Sequence, residues 1–281
     1  MREISAASIS DTVARLCVES NYFLGEDVKA ALQRGLAEEE SSLGKEVLAQ
    51  LIRNAEIAAA EEVPICQDTG VAVILLEIGQ DVHITGGSLG EALAEGVRRG
   101  YGEGYLRKSM VAKPIFNRTN TRDNTPPVVH VEIVPGDQLT VHVLPKGAGS
   151  ENMSRLFMLS PAEGVEGVKR AVLRAVEEAG PNPCPPIIVG VGIGGTSDKA
   201  MLLAKQALMR DVGQPNADPE VAELEADLLR LVRDTGIGPA GFGGRTTALA
   251  VHVEIYPCHI ASLPVAVNVQ CHAARHKTAV L

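Results

Sequence analysis

Apolar positions recur three and four residues apart through the first sixty residues, broken by short polar clusters. That recurrence predicts successive amphipathic helices over 5–62. In the last of them Leu43, Val47, Leu48, Leu51 and Ile52 share a face, and Pro64 ends the run. The pattern then changes. A turn sequence, PICQDTG (64–70), leads into a buried strand over 71–78, where Val71 to Leu76 is unbroken apolar. A helix is predicted over 88–105, with Ser88 and Glu91 at capping-box spacing. A polar loop (113–127) precedes two alternating runs, 128–134 and 139–144. The four turn residues Pro135 to Gln138 between them predict a hairpin. Beyond the loop PKGAGSEN (145–152), helices are predicted at 153–160, 163–179, 196–210 and 219–234. Strands are predicted at 185–195, 246–256 and 263–269, with a glycine loop at 236–244. No repeat of fixed period and no flexible linker is visible. The reading is a single α/β domain over 1–281, with a helical region (5–62) packed on a mixed sheet (64–281).

Composition narrows the function classes. The chain has 281 residues, 45% apolar and 22% charged, which is globular and excludes a disordered or coiled-coil chain. Aromatics are only 3% and Trp is absent, so the core must be aliphatic. Net charge is −9, without the basic stripe a nucleic-acid binder shows. The one local basic group is Arg98, Arg99, Arg107, Lys108 and Lys113. No apolar stretch is long enough for a membrane span, and the first residues lack the apolar segment of a secretory signal. A cytoplasmic address is expected. There, cysteines serve more often as metal ligands, nucleophiles or buried thiols than in disulfides.

Five cysteines are present. Cys66, Cys184 and Cys271 sit at turns or element ends, where a backbone can present a thiolate. Cys17 and Cys258 suit small buried hydrophobes better. The spacings match no ferredoxin or zinc pattern, so spacing alone leaves ligand and core readings open for all five.

The flanks add more. CQDTG before a strand, KGAGSEN, GVGIGGT, GIGPAGFGGRTTALAV and the closing VNVQC occur in order across nearly the whole chain. Together they resemble the class I (iron–sulfur) fumarase and tartrate dehydratase family, in its two-subunit form the α subunit. The resemblance implies that Cys66, Cys184 and Cys271 hold a [4Fe–4S] cluster with one iron not ligated by protein, on loops at one face. It implies a hydro-lyase adding water reversibly to a small dicarboxylate, fumarate to (S)-malate, or L-tartrate dehydration as the alternative. Gln67, Asp68, Arg107, Gly149 and Asn152 match substrate-binding positions, Asp68 with an acid/base role, and His259 matches a histidine near the substrate. A β subunit is expected to complete the site, most simply as α2β2. A cluster-bearing subunit inactive alone is the other form of this reading.

Each residue also has a plainer explanation. Asp68 suits an Asx turn bonding the backbone of residues 69–70. Arg107 suits a solvated helix end and the 145–152 loop an ordinary helix start. The polar residues Asn120, Thr121, Asp123, Asn124 and Thr125 read as a loop lining the site or, more plainly, as a surface loop. Gly190-x-Gly192-x-x-Gly195 formally matches a dinucleotide fingerprint, but the acidic residue expected some 20 positions on is missing. It reads instead as a turn near Cys184, with Thr196 and Ser197 capping the next helix. His272 and His276, if helical, share a face beside Cys271, which raises a zinc site as a competitor.

Overall fold

A computed structural model describes residues 1–281. The helical N-terminal stretch comprises β1 (Arg2–Ser5), α1 (Ala6–Tyr22), α2 (Glu26–Glu38) and α3 (Ser42–Glu61). Next come β2 (Val71–Gly79), β3 (Val82–Thr85), α4 (Leu89–Glu103), β4 (Val128–Val134), β5 (Leu139–Lys146) and the single turn α5 (Ala148–Glu151). The remainder is β6 (Arg155–Leu159), α6 (Gly164–Ala179), β7 (Ile187–Gly194), α7 (Ser197–Ala207), α8 (Pro219–Asp234), β8 (Ala248–Tyr256), β9 (Leu263–Gln270) and β10 (Lys277–Val280). The class is α/β with mixed sheets. No helix is long and apolar enough to cross a membrane. The chain divides into two compact units: residues 1–24, 55–148 and 275–281 form one, and residues 25–54 and 149–274 the other.

The first unit is built on a four-stranded sheet of order β10-β5-β2-β4. β2 is central because its run VAVILLEI is apolar on both faces. α1 and α4 supply Ile9, Val13, Leu16, Leu93, Val97 and Tyr101 to its core. The predicted hairpin of β4 and β5 does not form. β2 lies between them, parallel to β4 and antiparallel to β5. The turn at 135–138 instead steps over the end of β2. Its carbonyls accept from β2 and the residues after it: Gly79 N–H donates to Gln138 (2.8 Å) and Asp81 N–H to Gly136 (2.9 Å). Gly79 is required there, since a Cβ would lie 2.5 Å from the Gly136 carbonyl oxygen. Two strands joined by a hairpin-length turn can still be separated when a more apolar strand claims the centre.

The second unit has a sheet of order β6-β9-β7-β8. α6 and α8 contribute Val168, Val172, Val176, Leu228 and Val232 to the core packed with β7, β8 and β9. Ala200 and Ala204 of α7 pack against Ala266 in a smaller cluster. The stretch 153–160, predicted helical, is the edge strand β6, antiparallel to β9. Its burial alternates, with Leu156 and Met158 exposed and their neighbours half-buried, which is a period of two. Gly190 and Gly192 sit within β7, not in a phosphate-binding turn. A Cβ on either would lie 2.1 Å from a carbonyl oxygen of α7, that of Ala204 or Ala200. Close helix–strand packing demands these glycines, so the dinucleotide reading lapses.

The two sheets share a connection pattern. In each, a first strand (β2, β7) leads through helix to a parallel neighbour (β4, β8), and the chain then returns across it to an antiparallel one (β5, β9). The residues entering the first strand and those leaving the third therefore meet at the same end of each sheet.

Glu39, just past α2, holds the glycine loop of the second unit. Its buried carboxylate accepts backbone N–H bonds from Glu40, Ser41, Arg245 and Thr246 at 2.8–3.1 Å. Burial opposes the charge, but the N–H donors of Arg245, Ser41 and Thr246 outweigh it and hold the carboxyl at about 2, against an ordinary 4.5. That difference contributes on the order of 3 kcal/mol of stability. The contribution is complete above pH 4.5 and is lost as pH falls toward 2. Denaturant titrations of Glu39→Gln should show roughly 2–3 kcal/mol lower stability at neutral pH. They should also show a shallower loss of stability through that acid range than in the unaltered chain.

Candidate functional site

In the first unit, PICQDTG enters β2 and is fixed from several sides. Tyr101 of α4, fully buried, donates its hydroxyl toward the carbonyls of Thr69 (2.9 Å) and Gly70 (3.1 Å). Burial pushes its phenol well above the usual range, so it stays a donor. Asn124, also fully buried, donates to the Gly70 carbonyl (3.1 Å) and accepts from Ser109 N–H (2.7 Å). Arg275, only 2% exposed, donates to the Asp68 carbonyl (2.9 Å) and to Asn21 Oδ1 (3.2 Å). Asn21 in turn accepts Ile65 N–H on its backbone carbonyl (2.9 Å). Gly70 adopts φ +72°, and a Cβ there would lie 2.6 Å from the Lys146 backbone. The turn is thus held by helix, loop and C-terminal residues at once.

This anchoring places four of the expected site residues together. Cys66 is half-buried, and its sulfur accepts the Asp68 N–H at 3.4 Å. Gln67 is exposed beside it. The Asp68 carboxylate accepts Gly70 N–H on Oδ1 (3.0 Å), which is the Asx turn, and Ala148 N–H on Oδ2 (2.8 Å). The second bond ties the cysteine turn to the start of the KGAG loop. Arg107 joins through its backbone: its N–H donates to the Thr69 hydroxyl (2.9 Å), which donates to its carbonyl (3.2 Å). Its side chain is exposed. Asp123 and Asp11 take the guanidinium groups of Arg98 (3.2 Å) and Arg99 (2.6 Å) in ion pairs.

In the second unit Cys184 precedes β7 and Cys271 follows β9, and both occupy the same end of that sheet. Cys184 is exposed at φ +56°, a left-handed backbone uncommon for a residue with a side chain. The turn is closed by its N–H on the Pro181 carbonyl (3.0 Å). Its carbonyl accepts His272 Nδ1 (2.9 Å), which links it to the residue after Cys271. Ala240 N–H, from the glycine loop that Glu39 secures, donates to the Pro185 carbonyl (2.8 Å). Gly149 is exposed, 3.0 Å from the Asn182 carbonyl oxygen by its would-be Cβ. Asn152 is exposed, and its carbonyl accepts from Arg155 (3.3 Å).

Several features lie elsewhere than the sequence suggests. His259 lies in the turn between β8 and β9, at the other end of β7 from Cys184 and Cys271. At about 3.3 Å per residue the strand separates them by roughly 23 Å. His259 and Cys258 line instead a cleft of about 740 Å³ with Tyr256, Lys199 and Met158. The glycine turn at 194–195 belongs to that end too, bonded to Pro257, and not near Cys184. Ser88 and Thr196 hold N-cap positions without a side-chain cap bond; the Thr196 hydroxyl donates to Asp198 (2.5 Å) instead. Residues 271–276 are not helical, so His272 and His276 do not share a helix face. No three His, Cys, Asp or Glu side chains converge on a single-ion site. Cys17 is fully buried, its thiol pushed up to about 12 by burial, as a core residue should be. No disulfide links any of the five cysteines.

Among the anchors, Asn124 falls in the polar loop that the sequence reads as lining the site or as surface, whereas Tyr101, Arg275 and Glu39 escaped sequence reasoning. Only Tyr101 carried a hint, as one of four tyrosines in an aromatic-poor chain. Arg275 and Glu39 sit in polar stretches that read as surface.

A family model described as fumarate hydratase (Fumerase) matches residues 10–280. A relative in Methanocaldococcus jannaschii, named provisionally as an L(+)-tartrate dehydratase subunit alpha, is 44% identical over 273 residues, 95% of each chain. The L(+)-tartrate dehydratase subunit alpha of Escherichia coli strain K12 is 31% identical over 274 residues, 96% of this chain and 89% of that one. Its counterpart in strain UTI89 is 32% identical with the same coverage. With the model spanning nearly the full length, and relatives aligned end to end with it, the chain belongs to the fumarate hydratase (Fumerase) family of hydro-lyases.

Proposed function

We propose that the chain is the α subunit of a [4Fe–4S]-dependent hydro-lyase, with Cys66, Cys184 and Cys271 as the cluster ligands. The observation that carries this is the matching position of the three thiols in two similar sheets. Each lies on a turn entering a central strand or leaving its antiparallel partner. The donor set fits: three accessible soft sulfurs, and an amide N–H already directed at one of them. When bound, such a cluster supplies an iron with an open position, a Lewis acid for a departing hydroxyl.

The chain's own residues do the rest in this reading. Arg107, exposed and tethered to Thr69, offers a planar fork to one substrate carboxylate. The amides around Gly149, with Gln67 and Asn152, hold the dicarboxylate in place. Asp68 exchanges a proton with the substrate hydroxyl while two backbone N–H groups keep its carboxylate oriented. His259 fits the same site only if a second copy of the chain presents it, because β7 holds it away from Cys184 and Cys271. The second acid/base group comes from a β subunit, and the working assembly is α2β2 in the cytoplasm. The two compact units work in it as one functional domain.

The reaction is reversible addition of water to fumarate, giving (S)-malate. Tartrate dehydration to oxaloacetate is a second reading, favoured by the names of the relatives. The two hydroxy acids, malate and tartrate, differ by one hydroxyl. Steady-state assays of the chain with its co-expressed partner should separate them by kcat/KM, and the chain alone should turn over poorly. Turnover of neither substrate by the complete, iron-loaded complex would refute the hydro-lyase reading. Asp68→Asn should lower kcat by about 100-fold or more while iron content stays unchanged. Retained turnover would reduce Asp68 to its turn-forming role.

A further inference from the structure

β4 is the outer strand of the first unit's sheet, paired on one side only, with β2. It is unusually bare. Val129, Val131 and Ile133 are 37%, 53% and 72% exposed, although their β2 neighbours Ile74 and Leu76 are buried. An exposed apolar edge of this kind is a template for another strand, and proteins usually blunt or cover it.

We propose that the occupant is a second copy of the same strand, the two pairing antiparallel about a two-fold axis at Val131. The sequence between Pro127 and Pro135 is V-V-H-V-E-I-V, which is chemically palindromic about Val131. In that register Val129 meets Ile133, Val128 meets Val134, and His130 meets Glu132, each twice by symmetry.

The backbone has the matching phase. Val134 turns its carbonyl toward β2, accepting Gln80 N–H at 2.8 Å. Strand residues alternate in the direction of their N–H and C=O groups, so positions 129, 131 and 133 direct theirs outward. These are the positions that the self-paired ladder needs, and they give roughly six backbone bonds across the axis. The next outward positions are 127 and 135. Both are proline, without an N–H, and they end the ladder on each side. His130 and Glu132 then fall at the non-hydrogen-bonded sites, where facing side chains come closest. The pairing joins two four-stranded sheets into one of eight strands. It covers the apolar row and sets each His130 imidazole against a Glu132 carboxylate. It does not depend on which dicarboxylate the enzyme uses.

Sedimentation velocity of the full chain, alone and with its partner subunit, tests this. The chain alone should sediment at about twice its 29.6 kDa. Val131→Arg, which sets like charges on the axis, should halve that mass with an unchanged circular dichroism spectrum. His130→Glu should also weaken the dimer, and adding Glu132→Lys should restore it by reversing the pair. A monomeric unaltered chain, or a Val131→Arg dimer, would overturn the proposal. So would β4 amides protected from exchange only on addition of the partner subunit, which would assign this edge to that subunit.

Discussion

A turn that presents a cysteine at the end of a packed sheet has backbone carbonyls and amides that neither helix nor ladder can satisfy. Left unpaired and buried, each would cost roughly 1–3 kcal/mol. In this protein buried polar side chains meet that demand. Tyr101, Asn124 and Arg275 take the carbonyls of residues 68–70. Glu39 takes the amides of the loop that bonds to the turn carrying Cys184. The anchors come from far along the chain, so each turn is fixed only when its whole unit has folded. Shape at the thiols is thereby a property of the global fold and not of the local sequence.

The repeated sheet connection gives this arrangement its direction. A central strand entered from one end, and an antiparallel neighbour that leaves at the same end, bring an entry turn and an exit turn together. In the first unit these are the CQDTG turn and the KGAG loop, joined by Asp68 and Ala148. In the second they are the turns of Cys184 and Cys271, joined through His272. Asp68 therefore has two consequences from one geometry. Its carboxylate forms the Asx turn that the sequence alone allows, and the same two N–H bonds orient it for the chemistry proposed.

Long periodic segments were legible from the residues. The helices of the first sixty residues, α6 and α8 follow from spacing alone, because one face is apolar throughout, and β2 follows from its unbroken apolar run. The failures arose where tertiary competition decides. Residues 128–144 carry a hairpin's turn chemistry, yet a more apolar β2 takes the position between the strands. Residues 153–160 are too short for period to separate helix from strand. The glycines of β7 imitate a phosphate loop, but their role is to admit the α7 backbone. At the candidate site, the cysteines and Asp68 were singled out only by the resemblance of their flanks, and the structure adds the turns that present them. His259 was not placeable, since a linear distance of twelve residues to Cys271 hides the length of β9 between them. Buried Arg275 and Glu39 had no periodic signal at all, because a charged residue in a loop reads as solvated until its partners are known.

Three of the five thiols are proposed to hold one cluster with an iron open to substrate. Anaerobic reconstitution of the complete complex with iron and sulfide, followed by EPR of the reduced protein with and without dicarboxylate, tests it most directly. About four irons and four sulfides per chain are expected, with a spectrum that changes when dicarboxylate is added. The signal should be lost in Cys66→Ser, Cys184→Ser and Cys271→Ser and retained in Cys17→Ser and Cys258→Ser. Failure to assemble a cluster, or an intact cluster in Cys184→Ser, would contradict it.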